Sequence, residues 1–140
     1  MRSSVFLDTG YAVALAIERD QYHERAAALV DQIEREDTRL VTTRLVVAEI
    51  GDALNAPRHR QKAVQHVTAL QRNPTVNIVP LSEALFRRGL DLYRERRDKS
   101  WGLTDCVSFV VMRERSLHDA LSADDDFEQA GFNTLLRGAS

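Results

Sequence analysis

The chain has 140 residues, 44% of them apolar and 29% charged, with 19 Lys or Arg against 21 Asp or Glu and a formal net charge of -2. That length suits one domain with one core, and the composition argues against a disordered chain. No apolar run approaches the roughly 20 residues of a membrane-spanning helix, and the slightly acidic balance argues against a nucleic-acid binder that relies on overall basicity.

Residues 4–7 form a short apolar run that predicts a strand, and Tyr11 to Glu18 continue as the start of a helix containing Ala12, Ala14, Leu15 and Ala16. Residues 22–36 read as a helix, with Ala26, Leu29, Val30 and Ile33 at spacings of three and four. Leu40-Val41 predicts a brief strand. Thr42 and Thr43 then offer N-cap hydroxyls to a helix running to about Asn55, where Pro57 stops it. A further helix fits residues 59–72, ended by Asn73-Pro74, and Val76 to Val79 reads as a strand. Ser82 with Glu83 opens a helix over 83–97, and Thr104 is the expected cap of a helix carrying Val107, Val110, Val111 and Met112. Residues 119–122 predict a short strand and Phe132 to Leu135 a last one after Gly131. Strands alternate with helices throughout, which implies a parallel sheet with helices on both faces.

Four acids stand beside these elements: Asp8 after the first apolar run, Glu49 in Leu-Val-Val-Ala-Glu-Ile, Asp105 in Gly-Leu-Thr-Asp-Cys and Asp124 after Ala-Leu-Ser-Ala. In an open parallel sheet, ligands bind beyond the carboxyl ends of the strands, where the strand order reverses. Asp8 and Asp124 both follow strands and are expected at that edge. Asp105 falls in a first helical turn, which favours an anion, and Glu49 is expected to lean across the same crevice from its helix. Each acid also has an ordinary reading. Asp105 serves as a cap, Asp8 as a turn residue before Gly10, Glu49 as a solvated helix residue, and Asp124 as one of the loop acids Asp124 to Asp126. Their coincidence at one edge carries the case for a site. Two carboxylates ~5 Å apart at an effective dielectric of ~20 repel by about 3 kcal/mol, so a divalent cation is the expected counterpart.

The other chemistry-bearing residues narrow the reading. Cys106 is the only cysteine, which leaves no intrachain disulfide or cysteine-rich zinc site, and it reads as a buried structural thiol. His23, His59, His66 and His118 show no paired ligand spacing. Arg87, Arg88, Arg94, Arg96, Arg97 and Lys99 crowd one segment leading towards Asp105, a candidate phosphate track made almost entirely of Arg. Their ordinary reading is a solvated helix face.

Four segments together resemble the motifs of a known family. They are Val5-Phe6-Leu7-Asp8-Thr9-Gly10-Tyr11-Ala12, residues 42–50 with Glu49, residues 98–109 with Asp105, and residues 120–127 with Asp124, followed by Gln129-Ala130-Gly131-Phe132. In order and without large insertions, they resemble PIN-domain ribonucleases, in particular the VapC-like toxins of bacterial toxin–antitoxin pairs. The resemblance implies a single three-layer α/β/α PIN-like domain over residues 1–140 with a central parallel sheet. It implies an endoribonuclease dependent on Mg²⁺ or Mn²⁺, a homodimer, and inhibition by a cognate antitoxin.

Carried across, Asp8 and Asp105 are the most direct metal ligands. Glu49 and Asp124 complete the catalytic acids, with Thr9 and Thr104 auxiliary, and the repeated acids leave Asp124 and Asp126 as alternatives for the fourth position. Arg94, Arg96, Arg97 and Lys99 become the candidates for RNA binding. The family often has Thr where this chain has Ser122. The opening segment lacks the longer apolar stretch of a signal peptide, so a cytoplasmic protein away from the membrane is expected.

Two alternatives keep the fold but change the role: an RNA-processing nuclease without an antitoxin, and a non-catalytic RNA- or partner-binding scaffold. Unrelated acidic-pocket proteins fit less well. A haloacid-dehalogenase-type phosphatase expects a second Asp where Gly10 stands, and a receiver-like module expects a Lys that this chain, with only Lys62 and Lys99, does not offer.

Overall fold

Val5, Phe6 and Leu7 present no polar side chain to either face, and a strand of that kind is stable only where both faces are covered. In a computed structural model that describes residues 2–137, these residues form β1 (Ser4–Leu7), and all three are 2% exposed or less. β1 is the middle strand of a five-stranded sheet with β2 (Arg39–Thr43), β3 (Val76–Val79), β4 (Asp119–Leu121) and β5 (Asn133–Thr134), in the order β3-β2-β1-β4-β5. Every pairing is parallel, with Val5 opposite Leu40 and Phe6 opposite Ala120. The chain builds outward from β1 to β3, then returns to place β4 on the other flank of β1. The order therefore reverses between β1 and β4, and a crevice is expected beyond their carboxyl ends.

Among the described residues, seven helices cover the sheet. α1 (Thr9–Ala16), α2 (His23–Arg35), α3 (Arg44–Ala53) and α4 (Arg60–Arg72) pack among themselves. α5 (Glu83–Glu95) packs along α6 (Leu103–Glu114), and α7 (Asp125–Gln129) against α6. The architecture is the three-layer α/β/α arrangement expected from the alternation of elements. Phe109 centres an aromatic cluster on the α6 side, edge-on to Trp101 at 5.0 Å and to Phe127 at 4.9 Å between ring centroids. α5 and α6 approach closely because Gly89 has no side chain. A Cβ there would stand 2.4 Å from Val107 Cγ2 and 3.2 Å from Val107 Cα.

Local readings differ from the structure in a few places. Thr42 belongs to β2, where its buried hydroxyl donates to the Leu7 carbonyl at 2.7 Å, so Thr43 alone caps α3, accepting from the Val46 N–H. The N-cap of α6 is Gly102 and not Thr104. The backbone is still extended at Gly102, and Thr104 already lies inside the helix, its carbonyl accepting from Ser108 Oγ. A single 3₁₀ turn, Pro57–His59, precedes α4. The last strand shrinks to two residues and runs into another such turn, Leu135–Arg137. α7 had no counterpart in the sequence reading, since five residues are too few to show a helical period.

Candidate active site

Asp8 leaves the end of β1 and becomes the N-cap residue of α1. Placed there by the strand register, it is only 8% exposed. Its Oδ2 accepts from Ser122 Oγ at 2.8 Å, and Ser122, fully buried just beyond β4, in turn accepts from the Asp124 N–H at 3.1 Å. Burial raises the Asp8 carboxyl from its ordinary 3.8 to about 6. The Ser122 hydroxyl and the Thr9 backbone N–H counteract part of that rise, and Glu49 and Asp124 add to it.

Asp105 enters from the first turn of α6 and is half-buried. Burial raises its carboxyl to about 7, reinforced by the negative charges of Asp8, Asp124, Glu49 and Asp126. Glu49, one face of α3, accepts from the Thr9 hydroxyl at 2.7 Å. Thr9 thus anchors a second acid of the group through its hydroxyl. Asp124 caps α7, its Oδ1 accepting from the Asp126 N–H at 2.9 Å.

The adjoining acids separate into two groups. Asp125 and Glu128 both pair with Arg137. Asp126 turns the other way, so that carboxylate oxygens of Asp105, Asp124 and Asp126 lie within 4.8 Å of one another. Partial burial and the charges of Asp124 and Asp125 raise the Asp126 carboxyl. The structure therefore places Asp126 alongside Asp124 and does not choose one over the other. Asp8 and Glu49 stand outside this tight triad, each engaged by a hydroxyl.

These groups open onto a cleft of about 760 Å³ lined by Asp8, Thr9, Glu49, Asp105, Ser122 and Asp124. Asp20 and Asp52 line it too. Sequence reading passed over both, although Asp52 follows Glu49 by one helical turn and so shares its face. It also noted Ser122 without seeing its part in the site; the Ser-x-Asp spacing before Asp124 was the available signal. Thr104, half-buried in α6, is not among the residues that line the cleft.

The donor set tests the expectation of a metal. All the acids gathered here offer oxygen, and neither histidine nor cysteine lines the cleft. Hard oxygen donors of this kind fit Mg²⁺ or Mn²⁺ and suit softer transition metals poorly. Burial first, and the neighbouring carboxylates after it, raise two of these carboxyls into the range of 6 to 7.

The basic segment divides as well. Arg94 pairs with Asp91 at 3.2 Å. Arg96 forms a two-pronged contact with Asp98 at 3.0 and 2.9 Å and lies over the Trp101 ring, 5.1 Å from its centroid. That contact holds the Asp98 carboxyl down at about 2 and gives this acid a structural explanation. Arg97 and Lys99 make no ion pair among the described residues.

A parallel sheet in this order, with an acidic cleft at the reversal between β1 and β4, defines a class of acid-lined α/β domains. The PIN domain family model matches residues 5–133, and the chain belongs to that family. Among curated relatives, the 23S rRNA-specific endonuclease VapC20 of Mycobacterium tuberculosis is 25% identical over 128 residues, covering 91% of this chain and 95% of that protein. The crystal structure of VapC20, described as a Sarcin-Ricin loop cleaving toxin, superposes with a TM-score of 0.79 at 23% identity, covering 91% of this chain and 95% of that one. VapBC2 from Rickettsia felis, bound to a DNA fragment from its promoter, gives a TM-score of 0.68 at 10% identity over 94% of this chain and 96% of that one. FitAcB from Neisseria gonorrhoeae gives 0.61 at 20% identity over 93% and 95%. At these identities the structural likeness speaks to the fold.

Proposed function

We propose that this protein is a divalent-metal-dependent endoribonuclease that hydrolyses RNA phosphodiester bonds as the toxin of a toxin–antitoxin pair. The observation that carries the reading is the convergence of Asp8, Glu49, Asp105 and Asp124 on one cleft at the sheet's reversal point. The 25% identity to a 23S rRNA-specific endonuclease over nearly the full length of both chains supports RNA as the substrate. The likeness to VapBC2 and FitAcB supports a small protein antitoxin as the inhibitor. The whole chain is taken as a single domain acting in the cytoplasm as a homodimer.

In this reading Asp105, Asp124 and Asp126, whose oxygens lie close together, would hold Mg²⁺ or Mn²⁺ with Asp8 beside them and Glu49 completing the charge. When bound, such a cation supplies Lewis-acid polarisation of the scissile phosphate and activation of water for in-line attack. The chain's own residues fix the donors. Ser122 orients Asp8, Thr9 orients Glu49, and the first turn of α6 presents Asp105. No histidine or thiol enters the chemistry.

The test is incubation of the purified protein with total RNA and Mg²⁺ or Mn²⁺, with fragment ends mapped across 23S rRNA, comparing wild type with Asp8→Asn and Asp105→Asn. We expect discrete cleavage by wild type and none by either variant, and a fully active Asp8→Asn protein overturns the assignment. Co-expression with the product of a small neighbouring reading frame should suppress cleavage if the toxin role holds. Cleavage without any such partner favours a processing nuclease.

A further inference from the structure

Beside the acidic cleft, on the other flank of the α6 N-terminus, lies a second pocket of about 440 Å³. Tyr93, Arg97, Lys99, Ser100, Gly102 and Cys106 line it. We propose that it is a nucleotide-binding subsite for the RNA strand flanking the scissile bond, with Tyr93 stacking on a base and Arg97 and Lys99 holding a backbone phosphate. This deepens the ribonuclease reading and rests on it for the identity of the polymer.

Four observations carry the proposal. Of the four cations at the end of α5 and in the loop after it, Arg94 and Arg96 are paired with Asp91 and Asp98, whereas Arg97 and Lys99 form no ion pair within 4.0 Å among the described residues, Lys99 acting on Asp98 only at longer range. Both of these line the pocket, so the local positive charge falls within it. Trp101, the aromatic that sequence alone suggests for stacking, is only 4% exposed. Its indole N–H donates to Gln129 Oε1, Phe109 meets it edge-on and Arg96 covers a face, so it forms the floor.

Of the two aromatic side chains that line this pocket, Tyr93 is the open one, 49% exposed. Gly102 is exposed and has open space where a side chain would stand, so a phosphate can approach the backbone where α6 begins.

Position supplies the link to chemistry. Cys106 lines this pocket and Asp105 lines the acidic cleft, and consecutive Cα atoms are about 3.8 Å apart. The two pockets thus border opposite flanks of the same helical turn, and in the proposed complex the strand leaving Asp105 would reach the second pocket with a neighbouring nucleotide. The volume lies at the lower end of the roughly 300–1,000 Å³ typical of small-ligand sites, a size suited to one nucleotide and not to a folded element. Tyr93 and Phe86 share one face of α5, as protein-binding surfaces also do. Cations that form no ion pair at the pocket itself favour a polyanion, whose charge they attract over a distance.

The experiment measures binding apart from cleavage. Fluorescence anisotropy follows a labelled single-stranded oligoribonucleotide bound to full-length protein in EDTA across a salt series, with a thermal melt of each variant. We expect Tyr93→Ala to weaken binding roughly 5- to 100-fold and Tyr93→Phe to retain it, since stacking needs the ring and not the hydroxyl. Arg97→Gln with Lys99→Gln should reduce the slope of log affinity against log salt by about 1.4, or roughly 0.7 per phosphate contact on a single strand. Arg72→Gln on α4 should leave it unchanged.

Absence of oligoribonucleotide binding by wild type, or unchanged affinity in Tyr93→Ala together with an unchanged slope in the double variant, overturns the proposal. So does loss of self-association in Tyr93→Ala with RNA affinity intact, which assigns the face to a protein partner. Binding that follows the expected pattern without any cleavage on adding Mn²⁺ keeps the subsite and defeats the nuclease reading. Cleavage with binding indifferent to these side chains does the reverse.

Discussion

Ser122 Oγ donates to Asp8 Oδ2 at 2.8 Å across 114 positions of sequence, and the same oxygen accepts from the Asp124 N–H. One hydroxyl thus ties the end of β1 to the end of β4 and aims two acids into one cleft. Ser122→Ala should keep the fold but let Asp8 rotate, and groups that orient a metal's ligands are typically worth 10- to 100-fold in metal affinity or activity. Mn²⁺ titration by calorimetry checks this, with Ser122→Thr expected to restore the wild-type value. Equal affinity in the alanine variant would remove Ser122 from the site.

Stability without metal should fall as pH rises from about 4 to 7. The Asp8 carboxyl has an ordinary value of 3.8 and a folded value of about 6, and Asp105 a folded value of about 7. Below 3.8 both are protonated in either state and contribute nothing. Between the two values the unfolded chain releases the proton more readily than the folded one, so folding loses ground, and above about 7 the loss is complete. For Asp8 the difference corresponds to about 3 kcal/mol. Thermal melts in EDTA should show this decline, with Asp8→Asn more stable than wild type at pH 8. Millimolar Mg²⁺ or Mn²⁺ should raise the melting temperature of wild type and much less that of the variant.

The three consecutive acids after Ala123 should not be equivalent. Asp124 and Asp126 approach Asp105, whereas Asp125 pairs with Arg137. Asp124→Asn and Asp126→Asn should each weaken metal binding, and Asp125→Asn should leave it within about twofold, since an exposed ion pair contributes little. A cleavage assay over a range of Mn²⁺ concentrations separates them. A strong Asp125 effect would contradict its pairing with Arg137.

Gly89→Ala should destabilise the protein despite the better helix propensity of alanine. The new methyl would meet Val107 at distances that force α5 away from α6. Overpacking of this kind costs about 1–3 kcal/mol, against about 1 kcal/mol gained from propensity. Urea denaturation measures the balance, and a variant as stable as wild type would mean that the helices separate without strain.

Much of the fold was legible because its cues are local. The unbroken apolar run of β1, the Ser82 cap of α5 and Pro74 just after α4 each act within a few residues of the element they shape. Asp8 was legible for the same reason, since a carboxylate directly after a buried strand has little packing role, and Glu49, Asp105 and Asp124 through the motifs around them. The cap at Gly102 was missed because a threonine two residues on offers a stronger local signal than a glycine. The short α7 was missed because its start depends on the Asp124 side chain turning back on the Asp126 N–H.

By itself the sequence determined an alternating α/β domain, four acids on or beside its key elements, and an arginine-rich approach to Asp105. Only the tertiary structure decided which charges are available. It bound Arg96 to Asp98 and Asp125 to Arg137, buried Trp101 and left Tyr93 open, and brought Ser122 to Asp8. The physical reason is that secondary structure follows interactions a few bonds apart. Whether a charge is paired, desolvated or free depends on neighbours that only the packing of the sheet and its helices brings together.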